Sequence, residues 1–354
     1  MFRSANNPWL HRFAVLTALA ALGLIGVGGL VTSHEAGMAV TDWPTSNGYN
    51  MFLFPVSQWV GGVFYEHTHR LVASGVGLLT TILAVWLWLK DCRVWLRRLG
   101  VIAFFGVVFQ GVLGGLRVVL LKDQIGIFHA TLAQMFLVLV SVLALLTSPW
   151  WQRFVASARE FAVPLGLRRL FLFTTLLILA QLVVGATMRH QHAGLSIPDF
   201  PLAYGRIWPD TSPTAVARYN QNRLEVTAAN PITAFQIELQ MAHRLLALTV
   251  LGLVAASAWG TRRRLGGRNP ATKLAAAWLA LIGIQVVLGA WTIWSNKAAD
   301  IATAHVVVGA ASLVTGALLS LIAFRSVAEF RSVAAAVVDE PTRAISPHPL
   351  PRAA

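Results

Sequence analysis

The sequence predicts an all-α integral membrane protein whose eight transmembrane helices form two parallel, tandem four-helix bundles. Three observations carry that prediction. Of 354 residues, 56% are hydrophobic and 12% charged, with mean hydropathy +0.65; a soluble chain carries about 25% charged residues. Eight apolar stretches are long enough for a hydrocarbon core that takes about 20 residues per helix. The second half of the chain repeats short motifs of the first half in the same order.

The spans are expected at 12–32, 62–89, 99–121, 127–147, 169–188, 236–259, 274–295 and 301–324. Residues 1–11 precede the first span. That span is longer than a signal-peptide core and lacks a small-residue cleavage site before His34, so it reads as a retained anchor. Residues 12–147 form an N-terminal unit and 169–324 a C-terminal unit, joined by a linker at 148–168. The tail 325–354 ends in Ser346-Pro347-His348-Pro349-Leu350-Pro351 and is expected to be disordered. An even number of helices returns the chain to one side, so the two units share an orientation and are parallel repeats. The connections at 33–61 and 189–235 are long. Those at 122–126 and 296–300 are short and make their flanking helices antiparallel neighbours.

The formal net charge is +14, but its placement argues against nucleic acid as a partner. Roughly two thirds of the Lys and Arg, including Arg93, Arg97, Arg98 and the run Arg262-Arg263-Arg264, fall on the side that holds both termini. That bias predicts both termini inside. Trp43, Trp59, Trp208, Trp291 and Trp294 then mark the outer interface, and Trp9, Trp88, Trp95, Trp150, Trp151 and Trp259 the inner one. Cys92 is the lone cysteine, so no disulfide within the chain staples the outer loops.

The repeat organises everything else. Ala36-Gly37-x4-Asp42-Trp43-Pro44 after the first span matches Ala193-Gly194-x4-Asp199-Phe200-Pro201 after the fifth. Glu66-x-x-His69-Arg70 opens the second span, and Gln240-x-x-His243-Arg244 opens the sixth. Gln110-x3-Gly114 in the third matches Gln285-x3-Gly289 in the seventh. The offsets are 157, 174 and 175 residues.

Four histidines stand at matching places near the outer starts of even-numbered spans. His69 and His129 are 60 residues apart, and His243 and His305 are 62 apart. One histidine at a helix end is unremarkable; four in a duplicated frame, at one depth, are candidate ligands. Two imidazoles on facing helices can hold both faces of a haem iron, and helix-bundle cores are common cofactor sites. Glu66 shares a helical face with His69. Near the bundle end it could act as a base or as an anion that stabilises developing positive charge, or it could simply pair with Arg70. The matching Gln240 is neutral, so the carboxylate would mark the reacting site. Arg70 and Arg244 are candidate contacts to haem propionates, with snorkelling to the interface as the alternative. Gly28, Gly29, Gly114, Gly115, Gly185 and Gly289 would let helices or a flat ring approach closely. His67 has no partner in the repeat, because Met241 takes its place; it reads as structural or accessory. His34, His190 and His192 lie near the site mouths without an assigned role, and His11 and His348 carry no signal.

Together, Glu66-x-x-His69-Arg70, Gln240-x-x-His243-Arg244, His129, His305 and the A-G-x4-D-aromatic-P loops resemble the haem A synthase family over about 12–325. The resemblance implies an oxidoreductase of cytochrome oxidase assembly that converts the C8 methyl group of haem O to a formyl group, giving haem A. It implies Glu66 as catalytic residue, His69 and His129 as ligands of the substrate haem, and His243 and His305 as ligands of a haem b cofactor. It also implies a multi-pass protein of the bacterial inner membrane with cytoplasmic termini. The implied partners are haem O, the haem O synthase that supplies it, an electron-transfer partner and the lipid bilayer; a homo-oligomer is compatible with the sequence. Some family members carry a cysteine pair in the first outer loop. This chain has none there, and looks more like the proteobacterial and mitochondrial branch. The competing reading is a two-haem, quinone-linked electron-transfer cytochrome with no chemistry on the haem. Histidine pairs suit both. The Glu66/Gln240 difference, the long outer loops and the single depth of the histidines favour the enzyme.

Overall fold

The computed structural model describes residues 7–157, 162–223 and 230–338, with side chains on the last stretch to Ser326. Its helices are α1 (Pro8–Ser33), α2 (Gly61–Lys90), α3 (Val94–Leu120), α4 (Asp123–Thr147), α5 (Pro149–Ala156), α6 (Leu165–His190), α7 (Pro213–Gln221), α8 (Ala234–Leu265), α9 (Pro270–Trp294) and α10 (Ala299–Val338). All but α5 and α7 are long and apolar enough to cross a membrane, which makes eight spans.

Three spanning helices begin ahead of their apolar stretches because polar caps start them. The Asn7 side chain accepts from the Trp9 and Leu10 amides, with Pro8 in the first turn. Thr233 and Gln236 close a capping box on α8. Asn269 caps α9 ahead of Pro270. Hydropathy does not register these residues.

Three features depart from the expected layout. Helix α10 continues to Val338, so the tail expected to be disordered from 325 is helical to that point; 339–354 lie outside the described residues. The linker carries α5, whose Trp151 and Phe154 are buried with Leu10, Leu87 and Leu146. The second long loop carries α7, started by the Ser212 cap and held by Tyr219 stacked on Tyr204 at 3.6 Å.

Helices α1, α2, α3 and α4 pack in a ring, as do α6, α8, α9 and α10. The rings meet through α1 and α4, which touch α10, and through α4 against α6. Helix α1 is thus an integral wall. Lipid gives apolar side chains no reason to leave it, so close packing and polar contacts hold such helices together. Several buried hydroxyls return to their own helix, as Thr80 does to the Val76 carbonyl at 2.8 Å. The fully buried Trp278 donates from Nε1 to Ser312 Oγ at 3.1 Å. One guanidinium ties the rings together at the histidine end. Arg189 on α6 donates from Nη2 to the Gly29 carbonyl at 2.9 Å and to Ser33 Oγ at 2.7 Å, both on α1.

Candidate functional site

The four histidines lie in the early turns of α2, α4, α8 and α10, all at one end of the molecule. Each ring edge faces a glycine near the finish of the spanning helix before it. A β-carbon at Gly28, Gly114, Gly185 or Gly289 would stand 3.2, 3.5, 3.4 or 3.1 Å from Cε1 of His69, His129, His243 or His305 respectively. Glycine supplies the room that an imidazole needs against a neighbouring backbone.

A second contact recurs three times. A glutamine four residues before the glycine donates from Nε2 to the histidine's own carbonyl: Gln110 to His129 at 3.3 Å, Gln181 to His243 at 2.9 Å and Gln285 to His305 at 2.9 Å. At the α1–α2 pair the corresponding residue is Leu24, which cannot make this bond. Gln181 and its glycine are a third copy of a motif that the sequence comparison found twice.

All four rings leave Nδ1 buried with no hydrogen-bond partner. As whole residues they are half-buried. His243 and His305 have ring centroids 6.4 Å apart with planes inclined at 59°. Two imidazoles bonding one metal at about 2.0 Å through facing nitrogens would place their ring centres about 6 Å apart. Among the described residues no three His, Cys, Asp or Glu side chains converge on one point. Among these residue types each pair therefore offers two imidazoles and no third donor. That suits an iron whose equatorial positions a porphyrin already fills, and not a bare metal ion.

A loop covers each pair, and the two loops follow one plan. Asp42 accepts from the Asn47 and Gly48 amides at 2.7 and 2.9 Å, and from the Thr45 hydroxyl at 2.6 Å. Burial raises its pKa, but these donors more than offset that and hold it below the ordinary carboxylate value. Asp199 accepts from the Tyr204 and Gly205 amides at 2.7 and 2.8 Å. Each loop then turns back through two positive-φ residues, Asn47-Gly48 and Tyr204-Gly205, between the bridge pairs Ser46–Tyr49 and Ala203–Arg206. The Trp43-Pro44 and Phe200-Pro201 peptide bonds are both cis. Trp43 lies on Gly115, beside the glycine that faces His129. Phe200 instead meets Trp294 edge-on, with centroids 6.0 Å apart.

The residues before the histidines fasten these loops. Glu66 is buried, accepting the Val40 amide on Oε2 at 2.8 Å and Arg70 Nη2 on Oε1 at 2.8 Å. Gln240 accepts the amide of Ile197, the residue matching Val40, at 2.7 Å, and donates to the Gly194 and Ile197 carbonyls at 3.3 and 3.4 Å. Arg70 donates to the carbonyls of Asp42, Thr45 and Val40 at 2.7, 2.9 and 2.6 Å. Arg244 donates to the Leu202 and Asp199 carbonyls at 2.8 and 2.7 Å and lies over Phe200. The structure thus brings Arg70 and Arg244 to loop carbonyls, where the sequence suggested propionates. Consecutive carbonyls that must be satisfied are natural partners for a five-donor fork.

Four further histidines make packing or polar contacts. His67 is fully buried, with Nδ1 3.2 Å from Ser46 Oγ and its ring among Phe54 and Trp59. Met241 fills the matching place and packs with Ile197, Ala203 and Ile237. His34 stacks on Tyr65 at 3.9 Å. His190 packs toward Gly126 on α4, and His192 lies 3.9 Å from Glu35.

The chain is thus a multi-span helical bundle that repeats one imidazole-pair arrangement, each pair beside a fastened loop. Comparison with known proteins makes this specific. A family described as cytochrome oxidase assembly protein matches residues 11–317, and the chain belongs to that family. Among its relatives is a haem A synthase of Shouchella clausii, 30% identical over 58% of this chain and 68% of that protein. One of Geobacillus kaustophilus is 29% identical over 84% of this chain and 86% of its own length. One of Methylobacterium sp. is 25% identical over 87% and 92%.

Proposed function

We propose that this protein is a haem A synthase, an oxidoreductase that converts the C8 methyl group of haem O to the formyl group of haem A. The observation that carries the reading is a duplicated imidazole-pair site in which only one copy holds a buried carboxylate, Glu66, against Gln240 in the other. A pure electron carrier has no use for that difference.

In this reading His69 and His129 of the N-terminal unit ligate the iron of haem O as substrate. His243 and His305 of the C-terminal unit hold haem b, which when bound supplies one-electron redox capacity. The glycine notches set each ring's position, and the three glutamines fix the backbone that carries His129, His243 and His305. The loops over the pairs limit access of water. Both oxygens of Glu66 already accept strong hydrogen bonds, which supports a fixed anion rather than a free base. Such a preorganised charge, beside a methyl group losing electrons, favours the cationic transition state. The proposal includes a haem O synthase as supplier, a separate redox partner that accepts the electrons, and a bacterial inner membrane with cytoplasmic termini.

The test is a haem extract from cells with a haem O source, with and without the intact gene. Formyl-bearing haem is expected only with the gene. Two bound haems with no formyl product would favour the electron-transfer cytochrome instead.

A further inference from the structure

Between α1 and α2 runs a groove of about 570 Å³ lined by Ala20, Gly23, Val27, Val72, Gly75 and Val76, with Leu78 and Leu79 at its far edge. No lining side chain is polar. Gly23, Gly75 and Leu78 are exposed, so in a bilayer the groove opens sideways into lipid. At its head stands His69. Val27 adjoins Gly28, the glycine facing the His69 ring, and Val72 lies one turn beyond His69 on the same face. His69 Nδ1 is buried there without a hydrogen-bond partner.

The second unit shows what this groove is not needed for. Aligning Gly28 with Gly185 and His69 with His243 sets Leu177 against Ala20, Ala180 against Gly23, Leu246 against Val72, Thr249 against Gly75 and Gly252 against Leu78, with Val27, Val76 and Leu79 unchanged in kind. The first four exchanges add bulk and the last removes it. At four of the eight lining positions the unit assigned to haem b carries the larger side chain, and at one the smaller. Those two haems differ in one large group, the long isoprenoid chain that haem O alone carries.

We propose that the α1–α2 groove seats the isoprenoid chain of haem O, with the macrocycle held at the His69 end. This rests on the assignment of His69 and His129 to haem O. A β-carbon at Gly23 or Gly75 meets nothing within 4 Å, so the groove can be filled without forcing the helices apart. The experiment titrates the purified full chain with haem O and with haem b, following the absorbance change that His69→Ala abolishes. Wild type is expected to bind haem O at least ten-fold more tightly than haem b. Gly23→Leu/Gly75→Leu should erase that preference by weakening haem O, leaving haem b affinity within two-fold. Gly75→Thr, which installs the side chain found at position 249, should lose part of it. The spectrum of the haem at His243 and His305 reports that each variant is folded.

An unchanged preference in the filled variant overturns the proposal, and so does an equal loss for both haems. Loss of co-purifying phospholipid with haem O binding unaffected would make the groove a lipid site and overturn it as well. Haem A formation by the wild type is scored separately: its absence defeats the functional reading, whereas its presence without a haem O preference defeats only the groove.

Discussion

Where the loop over the first imidazole pair is held at Val40 the anchor is an ion pair, and where the loop over the second is held at Ile197 it is one amide. Glu66 takes the Val40 amide while Arg70 takes the Val40 carbonyl. Gln240 alone takes both the amide and the carbonyl of Ile197. The fold therefore needs one acceptor and one donor at this place, and a neutral residue provides both. The charge on Glu66 exceeds what loop anchoring requires. It also brings a cost, since a buried carboxylate must be matched by a buried cation, here at 2.8 Å with both side chains less than a tenth exposed. The second copy keeps the arginine, Arg244, without the carboxylate, so the ion pair is what sets the two anchors apart.

The comparison can be broken most severely at the ligands. His243→Ala or His305→Ala should abolish the low-spin b-type spectrum of purified protein, whereas His69→Ala and His129→Ala should leave it. Survival of the spectrum in both C-terminal variants would exchange or erase the roles of the two units. Next is Glu66→Gln, which makes the first anchor resemble the second. Haem A formation should fall by ten-fold or more, because one electrostatic stabiliser is worth about 3 kcal/mol, while the spectrum from His243 and His305 stays constant. Wild-type product from this variant would show the anion to be structural.

Finer tests use the glycines and glutamines. Gly289→Ala puts a β-carbon 3.1 Å from the His305 ring, tighter than ordinary contact, while Gly185→Ala leaves 3.4 Å to His243. Electron paramagnetic resonance of the oxidised haem should shift clearly in the first and little in the second; equal shifts would mean that the rings are not seated by these notches. The smallest effect is expected from Gln181→Leu, which makes the second unit's first helix pair resemble α1–α2. Interhelical hydrogen bonds in membranes average about 0.6 kcal/mol, so thermal unfolding should move by only a few degrees. A collapse of the fold would give that bond a far larger role.

The spans and the four histidines were legible because each leaves a local trace, an apolar run or a repeated motif. What escaped was the identity of polar partners. Nothing around Arg70 shows that its donors meet carbonyls at 40, 42 and 45, because folding alone brings those atoms near. The same holds for the bond from Glu66 to Val40, 26 residues away. Gln181 lay unread between Leu and Ala in an apolar run, although its spacing to Gly185 matched the other two copies. The Asn47-Gly48 dipeptide was an available turn signal, but Tyr204-Gly205 was not, since a tyrosine at positive φ is uncommon. Helices α5 and α7 are too short for periodicity to reveal.

All four imidazoles stand at one end of the bundle, so a line joining the two pairs runs parallel to the bilayer plane. A charge crossing the whole membrane does work of about 2.3 kcal/mol per 100 mV. A charge passing sideways between the units crosses none of that voltage drop. In the proposed reading, exchange between the two sites is therefore electrically silent and would proceed equally in an energised cell and in a collapsed vesicle.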